Sequence, residues 1–290
     1  MKQKMPIWKK ILREISRPFY QMWLITNGAS GGEIMSNQEI AKDKTDYTRL
    51  NMDKRFVIDS EWDYLCLGDK YAPNGVIDSQ YFIQDIWGAR KVLAHKPDVH
   101  YDVGSSVRDF IAHCLAYNQK ITLLDIRPMN KQFNKNFLNN GGGGIIYIQA
   151  NATRLENIAD NSIHSLSALC SIEHFGLGRY GDPIEPDAWE GALKAFQRVL
   201  KPNGRLYLSV PVADEDRLCF NAHRIYKPQT IIDSLDSMQI IEMGYIKDFD
   251  VIECMKWENN NLHINKEALE SMPKAHKRSC CFGLFEFAKK

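Results

Sequence analysis

The stretch SIEHFGLGRYGDPIEPDAW, residues 171–189, gathers Glu173, His174, Arg179, Tyr180, Asp182 and Glu185 and spaces them with Gly176, Gly178 and Gly181. The apolar run IHSLSAL, residues 163–169, ends just before it. Ordinary connections are short, and long loops bearing convergent polar groups on a rigid scaffold are where binding and catalysis concentrate. His174 beside Glu173 is an acid–base pair in type. An imidazole needs only a modest shift to be a neutral base near neutrality, and the carboxyl orients it or holds a ligand. Arg179, Tyr180 and Asp182 are residue types that bind hydroxyl-rich or acidic sugars, and the glycines let the loop fold over a substrate. A second cluster, FNAHRIYKP, supplies Asn221, His223, Arg224 and Tyr226. His223 is the alternative base there, and Arg224 with Arg179 would clamp a phosphate or carboxylate. Each residue also has a plainer reading: the histidines as structural hydrogen-bonding groups, Arg179 with Asp182 as a local ion pair. No H-x-x-x-H and no cysteine pair supports a metal site, so none is expected.

A second set of residues has the spacing of a nucleoside site. In HYDVGSSVRDF, Asp102 ends a short strand, Gly104 permits a tight turn, and Ser105 and Ser106 are small hydrogen-bonding residues. Asp125 ends the next strand, 21 residues beyond Gly104. That is the offset, roughly 20 residues, at which an acidic side chain meets a ribose diol. A carboxylate suits a diol because it accepts two hydrogen bonds at once. One glycine stands where the dinucleotide pattern has three, which argues against a bound pyrophosphate and a nicotinamide cofactor.

Strands and helices must position these groups. The strands expected are VHYDV (99–103), ITLLDI (121–126), IIYIQA (145–150), SLSALC (165–170), RLYLSV (205–210), QIIEMGYI (239–246) and CCFGLFEFAK (280–289). Helical spacing is read in SQYFIQDIWGARKVLAH, SVRDFIAHCLAY, MNKQFNKNFL, DAWEGALKAFQRVL and PQTIIDSLDSM. Alternating strands and helices predict an α/β fold with a mostly parallel sheet and helices on both faces. The segment before the last strand is long and polar with only a short helical patch, so the final pair is expected antiparallel. Ligands in such sheets sit outside the carboxyl ends of the strands.

With that order of elements, the chain resembles the class I S-adenosylmethionine-dependent methyltransferases. YDVGSS is similar to their first motif, LLDI to their ribose-binding acidic position, QANATRLENIADNSIHSLSAL to their third-to-fourth strand segment, and FQRVLKPNGRLYLSVPV to the turn before their fifth strand. The resemblance covers roughly residues 78–290. It implies a seven-stranded Rossmann-like sheet with an antiparallel last strand. It also implies an S-adenosylmethionine site lined by Asp102, Gly104, Ser105, Ser106, Asp125, Ile126, Asn151 and Ala152. Asn151 stands where many members carry an Asp for the adenine amine, and its carbonyl accepts the same bond. The helix with Tyr81, Gln84, Asp85 and Arg90 would cover the cofactor or present a plain surface face. Within the superfamily, IEHFGLGRYGDPIEP, FNAHRIY and YFIQDIW resemble an uncharacterised methyltransferase-like family, domain of unknown function 268, whose bacterial members tend to belong to surface-polysaccharide pathways. The activity implied is O-methylation of a sugar or polysaccharide precursor; the alternative is a scaffold or binding subunit of a glycan assembly complex.

The 290 residues are 44% hydrophobic and 25% charged with a net charge of +1, an ordinary globular balance with no global field to attract nucleic acid. Seven irregularly spaced cysteines are no disulfide framework and fit a reducing cytoplasm; Cys114, Cys170 and Cys281 read as core residues. Residues 55–290 are expected to form the methyltransferase-like domain. Residues 1–54 are expected to form a basic helical appendage and a polar linker. The spacing of Ile7, Trp8, Ile11, Leu12 and Ile15 among Lys and Arg, within residues 1–25, fits a helix on an anionic membrane surface at the inner face of the membrane, or one packed on its own domain or a partner chain.

Overall fold

The computed structural model describes residues 34–75, 77, 79–130, 144–277 and 280–290. The basic N-terminal segment and most of the helix expected over MNKQFNKNFL lie outside the described residues. The chain divides into two compact units, Met1–Val76 and Ile77–Lys290, so the division falls later than the boundary expected after residue 54. In the first unit, α1 (Asn37–Leu50) occupies sequence read above as linker. Its start is a capping box. Ser36 accepts from the Glu39 amide, and the Glu39 carboxylate accepts from the Ser36 amide in return.

The second unit holds α2 (Tyr81–His95), β1 (His100–Val103), α3 (Phe110–Ala116), β2 (Ile121–Asp125), β3 (Ile145–Gln149), β4 (Ile163–Leu169), α4 (Ala188–Val199) and β5 (Leu200–Val212). After these come β6 (Arg217–Cys219), β7 (His223–Ile225), α5 (Pro228–Asp233), β8 (Met238–Lys247), β9 (Asp250–Glu258), β10 (Asn261–Ile264), α6 (Lys266–Glu270) and β11 (Cys281–Lys289). The main sheet runs β10-β9-β8-β11-β5-β4-β1-β2-β3. β1 to β5 are parallel, while β11 is antiparallel to both β5 and β8. This is the Rossmann-like arrangement expected. A hairpin of β9 and β10 extends it, beyond the seven strands foreseen, and β6 with β7 forms a separate two-stranded ribbon.

Period-two alternation sorts the strands onto two cores. Leu166 and Ala168, Leu206 and Leu208, and Phe285 and Phe287 pack with α4 residues Ala192, Leu193 and Phe196. Leu123, Tyr207, Leu284 and Ile246 pack on the other face with Trp87, Val92, Phe110 and Ile111 of α2 and α3.

The α2-side face carries a polar seam beside the first strand. Asp102 stands opposite Ser167 in the β1–β4 register. Its carboxylate has no exposed surface and accepts from the hydroxyls of Ser167 and Ser105 and from the Ser105 amide. Ser167 has one hydrogen and gives it to Asp102, so His100 must donate from Nε2 to Ser167 Oγ at 2.8 Å. His100 Nδ1 then accepts from Ser165 at 2.8 Å. Burial holds His100 neutral, lowering its pKa to about 3. Burial also raises Asp102 to about 6, against the pull of its three hydrogen bonds. The seam fixes the turn after β1 to the central strand. Ser167→Ala removes the middle link, leaving a buried imidazole N–H and a carboxylate each short of a partner. An expected loss of about 1–3 kcal/mol should appear as a lower urea midpoint with an unchanged slope.

Candidate functional site

The carboxyl ends of β1, β2 and β4 and the turn after β3 converge on a cleft open to solvent. Val103, Leu124, Ile126, Ala152 and Phe175 give it apolar walls, and Asp125, Arg127, Asn151, Thr153, Ser171, His174, Tyr180 and Asp182 bring polar groups. Gly104 sits at its floor with φ +76°, and a Cβ there would stand 3.1 Å from the Ser171 Cβ. Only glycine meets both the turn and the close approach. The Ser171 hydroxyl is buried without a hydrogen-bond partner. A buried orphan donor in a cavity wall is a place for a ligand atom.

Of the residues singled out for a nucleoside, the structure brings Gly104, Asp125, Ile126, Asn151 and Ala152 into this wall. Asp102, Ser105 and Ser106 are not in it: Asp102 and Ser105 bond each other beneath the turn, and Ser106 bonds Asp109. Asp102 is therefore a support of the site and not a ligand-facing group. Asn151 faces the cleft in a different sense from that expected. Its Oδ1 accepts from the Thr153 amide at 3.0 Å and the Thr153 hydroxyl at 2.6 Å, so both lone pairs are engaged and Nδ2, a donor, is left for a ligand.

The loop after β4 is held from within. A Cβ on Gly176 would lie 1.7 Å from the Glu185 carbonyl oxygen, which explains the glycine directly. Asp182 accepts from the amides of Gly176, Gly178 and Tyr180 at 2.8, 3.3 and 3.1 Å. Arg224 donates to the carbonyls of Phe175 at 2.7 Å and Pro186 at 3.0 Å, with a longer contact of 3.4 Å to Glu173. Arg224 and Asp182 thus build the loop, and the clamp expected from Arg224 with Arg179 is not formed. Asn221 is exposed in the turn between β6 and β7. His223, on β7, has Nε2 buried and unpartnered, and burial followed by the Arg179 charge lowers its pKa.

His174 and Glu173 share the short 3₁₀ turn Ile172–His174. His174 Nδ1 lies 2.7 Å from the Ala222 carbonyl, which only accepts, so that nitrogen carries the proton. Arg179 Nη1 donates to the same carbonyl at 2.8 Å. His174 Nε2 keeps its lone pair and lies 3.4 Å from Glu173 Oε1. Burial is the main reason that His174 falls to about 4 and Glu173 rises to about 8. At neutral pH the imidazole is unprotonated and the carboxyl holds its proton. Glu173 Oε2 is buried with no partner.

Arg127 and Ser171 were not foreseen. The signal for Arg127 is its place two residues after Asp125, where its amide and its guanidinium both reach the carboxylate. Ser171 offered only its place after a strand.

Residues 135–275, just under half of the chain, match the family described as "Caenorhabditis protein of unknown function, DUF268". No curated protein sequence matches. Among solved structures, the chain is similar to the 1,6-didemethyltoxoflavin-N1-methyltransferase of Burkholderia thailandensis, with bound 1,6-didemethyltoxoflavin and S-adenosylhomocysteine. There the identity is 15%, the coverage 88% of this chain and 91% of that one, and the TM-score 0.49. It is also similar to the N-methyltransferase NodS of Bradyrhizobium japonicum WM9, at 9% identity over 74% and 99% of the two chains, with a TM-score of 0.48. What those enzymes bind and act on is a property of those enzymes.

The site makes stability depend on pH in a defined direction. The contribution of Glu173 is fully present below its ordinary value of 4.5 and is lost as pH rises through about 8. Glu173→Gln keeps the shape and abolishes the titration. Above about pH 8 the variant is expected to be more stable than wild type, by about 1–3 kcal/mol in urea denaturation. A variant whose stability follows the wild-type pH curve would contradict the buried, protonated carboxyl.

Proposed function

We propose that the protein transfers a methyl group from S-adenosylmethionine to a hydroxyl of a sugar or polysaccharide precursor in the cytoplasm. The observation that carries the reading is the cleft at the carboxyl ends of the parallel strands. Asp125, Gly104 and Ser171, whose hydroxyl is buried and unpartnered, line it together. In the resembling methyltransferases an acidic side chain at the position of Asp125 holds the ribose diol. Here Asp125 would accept the two ribose hydroxyls, Asn151 Nδ2 would donate to a ring nitrogen of the base, and the apolar walls would pack on the nucleoside. When bound, S-adenosylmethionine supplies an electrophilic methyl group on a sulfonium.

The rest falls to the chain itself. His174 is held by the Ala222 carbonyl in the tautomer that leaves Nε2 free to take a proton. Glu173 lies beside that nitrogen, with Oε1 3.4 Å away, and orients the imidazole or holds the acceptor. The loop bearing Gly176 and Tyr180 shields the reacting groups from water. All seven cysteines are unpaired, as a reducing compartment would leave them. The basic residues 1–25 would draw the protein toward an anionic inner membrane surface.

A second reading, a methyltransferase-like scaffold without catalysis, is favoured by Arg127 lying on the Asp125 carboxylate. Calorimetric titration with S-adenosylhomocysteine separates the two. Micromolar binding that is lost in Asp125→Ala is expected for the enzyme. No heat with wild type supports the scaffold. For the acid–base pair, His174→Ala is expected to lower turnover by about 10²–10⁴-fold with cofactor affinity unchanged. If His223→Ala has that effect and His174→Ala does not, the base lies on β7.

A further inference from the structure

We propose that Arg127 gates Asp125 and, once displaced from it, becomes the anion-binding group of the site, so that the acceptor carries a phosphate or a carboxylate. This deepens the methyl-transfer reading and rests on it. Arg127 covers both oxygens of Asp125. Its amide and Nε each donate to Oδ1 at 2.9 Å, and Nη2 donates to Oδ2 at 2.5 Å. Those are the lone pairs that a ribose diol needs, so diol and guanidinium compete for one carboxylate. The side chain of Arg127 is 50% exposed, so its guanidinium has room to swing into solvent, whereas that of Asp125 is 14% exposed and keeps the Arg127 amide when the guanidinium leaves. A diol at Asp125 replaces the two guanidinium hydrogen bonds with two of its own.

The displaced guanidinium stays at the cleft. The Tyr180 ring carries two guanidinium groups, Arg127 with Cζ 4.5 Å and Arg179 with Cζ 5.1 Å from its centroid. Cation–π contact of this kind holds Arg127 in place without its carboxylate. Among the described residues Arg179 forms no salt bridge; its Nη1 donates to the Ala222 carbonyl. When a diol takes Asp125, Arg127 loses the one salt bridge it forms among the described residues, and the Asp182 carboxylate nearby is engaged by three loop amides. A planar fork on an aromatic ring, deprived of its carboxylate, is suited to bidentate capture of an oxyanion. Tyr180 also packs edge-on against His174, with ring centroids 5.4 Å apart. The anion site and the acid–base pair thus lie on one wall, and an acceptor held by its charge would meet both. Arg224 cannot take this role, because its donors are engaged by loop carbonyls.

The experiment is calorimetry on the full chain at low salt. S-adenosylhomocysteine is titrated into wild type and Arg127→Ala. Glucose 1-phosphate, glucuronate and glucose are then titrated into each protein loaded with it. Arg127 is on the surface, so an unchanged unfolding temperature is expected of the variant. Arg127→Ala is expected to bind S-adenosylhomocysteine about two- to five-fold tighter, the competing ion pair being gone. Loaded wild type is expected to take up glucose 1-phosphate or glucuronate but not glucose, and loaded Arg127→Ala is expected to lose that uptake. The tighter of the two probes tells phosphate from carboxylate. Linkage requires that the same anion tighten S-adenosylhomocysteine in wild type alone. The inference is overturned if the variant binds S-adenosylhomocysteine no tighter than wild type, if it keeps the anion uptake, or if loaded wild type takes up neither anion. Wild type that binds no S-adenosylhomocysteine overturns the methyl-transfer reading and this inference together, before the variant is used.

Discussion

A carboxylate shut off from water must find its hydrogen bonds inside the protein, and Asp102 imposes that requirement on the centre of this sheet. It meets it with Ser105 in the turn above and Ser167 on the neighbouring strand. Ser167 in turn needs His100, and His100 needs Ser165. One unbroken line of donors and acceptors thus ties the turn after β1 to the body of β4. The cleft depends on this line, because Gly104 and Ser171, in contact across its floor, leave those two strands. A turn free to shift would lose the narrow gap that only a glycine spans.

The loop after β4 meets the same kind of constraint by other means. Its polar residues divide between those that face inward to build it and those left facing the cleft. Asp182 gathers three amides and Arg224 two carbonyls at hydrogen-bonding distance, so their charges are absorbed by backbone. His174, Tyr180 and Arg179 are what remains for chemistry. The pair of His174 and Glu173 is kept in its neutral form by burial, with the proton on the carboxyl and a lone pair on Nε2. A neutral pair is easier to bury than an ion pair and still moves one proton.

Much of this was legible in the sequence where a local rule applied. The strand ends and the interval from Gly104 to Asp125 located the cleft, because strand alternation and the turn at a strand end are local in sequence. The edge hairpin of β9 and β10 escaped, although Asn259 and Asn260 adopt the positive φ of a two-residue turn. Its strands, DVIECMKWE and NLHI, lack the period-two alternation of a half-buried strand and lie at an exposed edge, so they resemble a loop in composition. The capping box Ser36-Asn37-Gln38-Glu39 is likewise a helix-start signal, but it lies inside a polar run that reads as a linker. Arg224 and Asp102 were right in place and wrong in direction. Which way such a side chain turns depends on partners distant in sequence, Phe175 and Pro186 for one, Ser167 for the other. Arg127 shows the converse: its partner is two residues away, but its importance lies in Tyr180 arriving from another loop.

The central claim is that the ends of four parallel strands form one nucleoside site. Hydrogen–deuterium exchange of the full chain, with and without S-adenosylhomocysteine, tests it most directly. The account predicts slower exchange together in the segments 103–106, 125–127, 151–153 and 171–180, with the β9–β10 edge unchanged. Exchange that is the same in all four segments, or protection confined to residues away from the cleft, would contradict it.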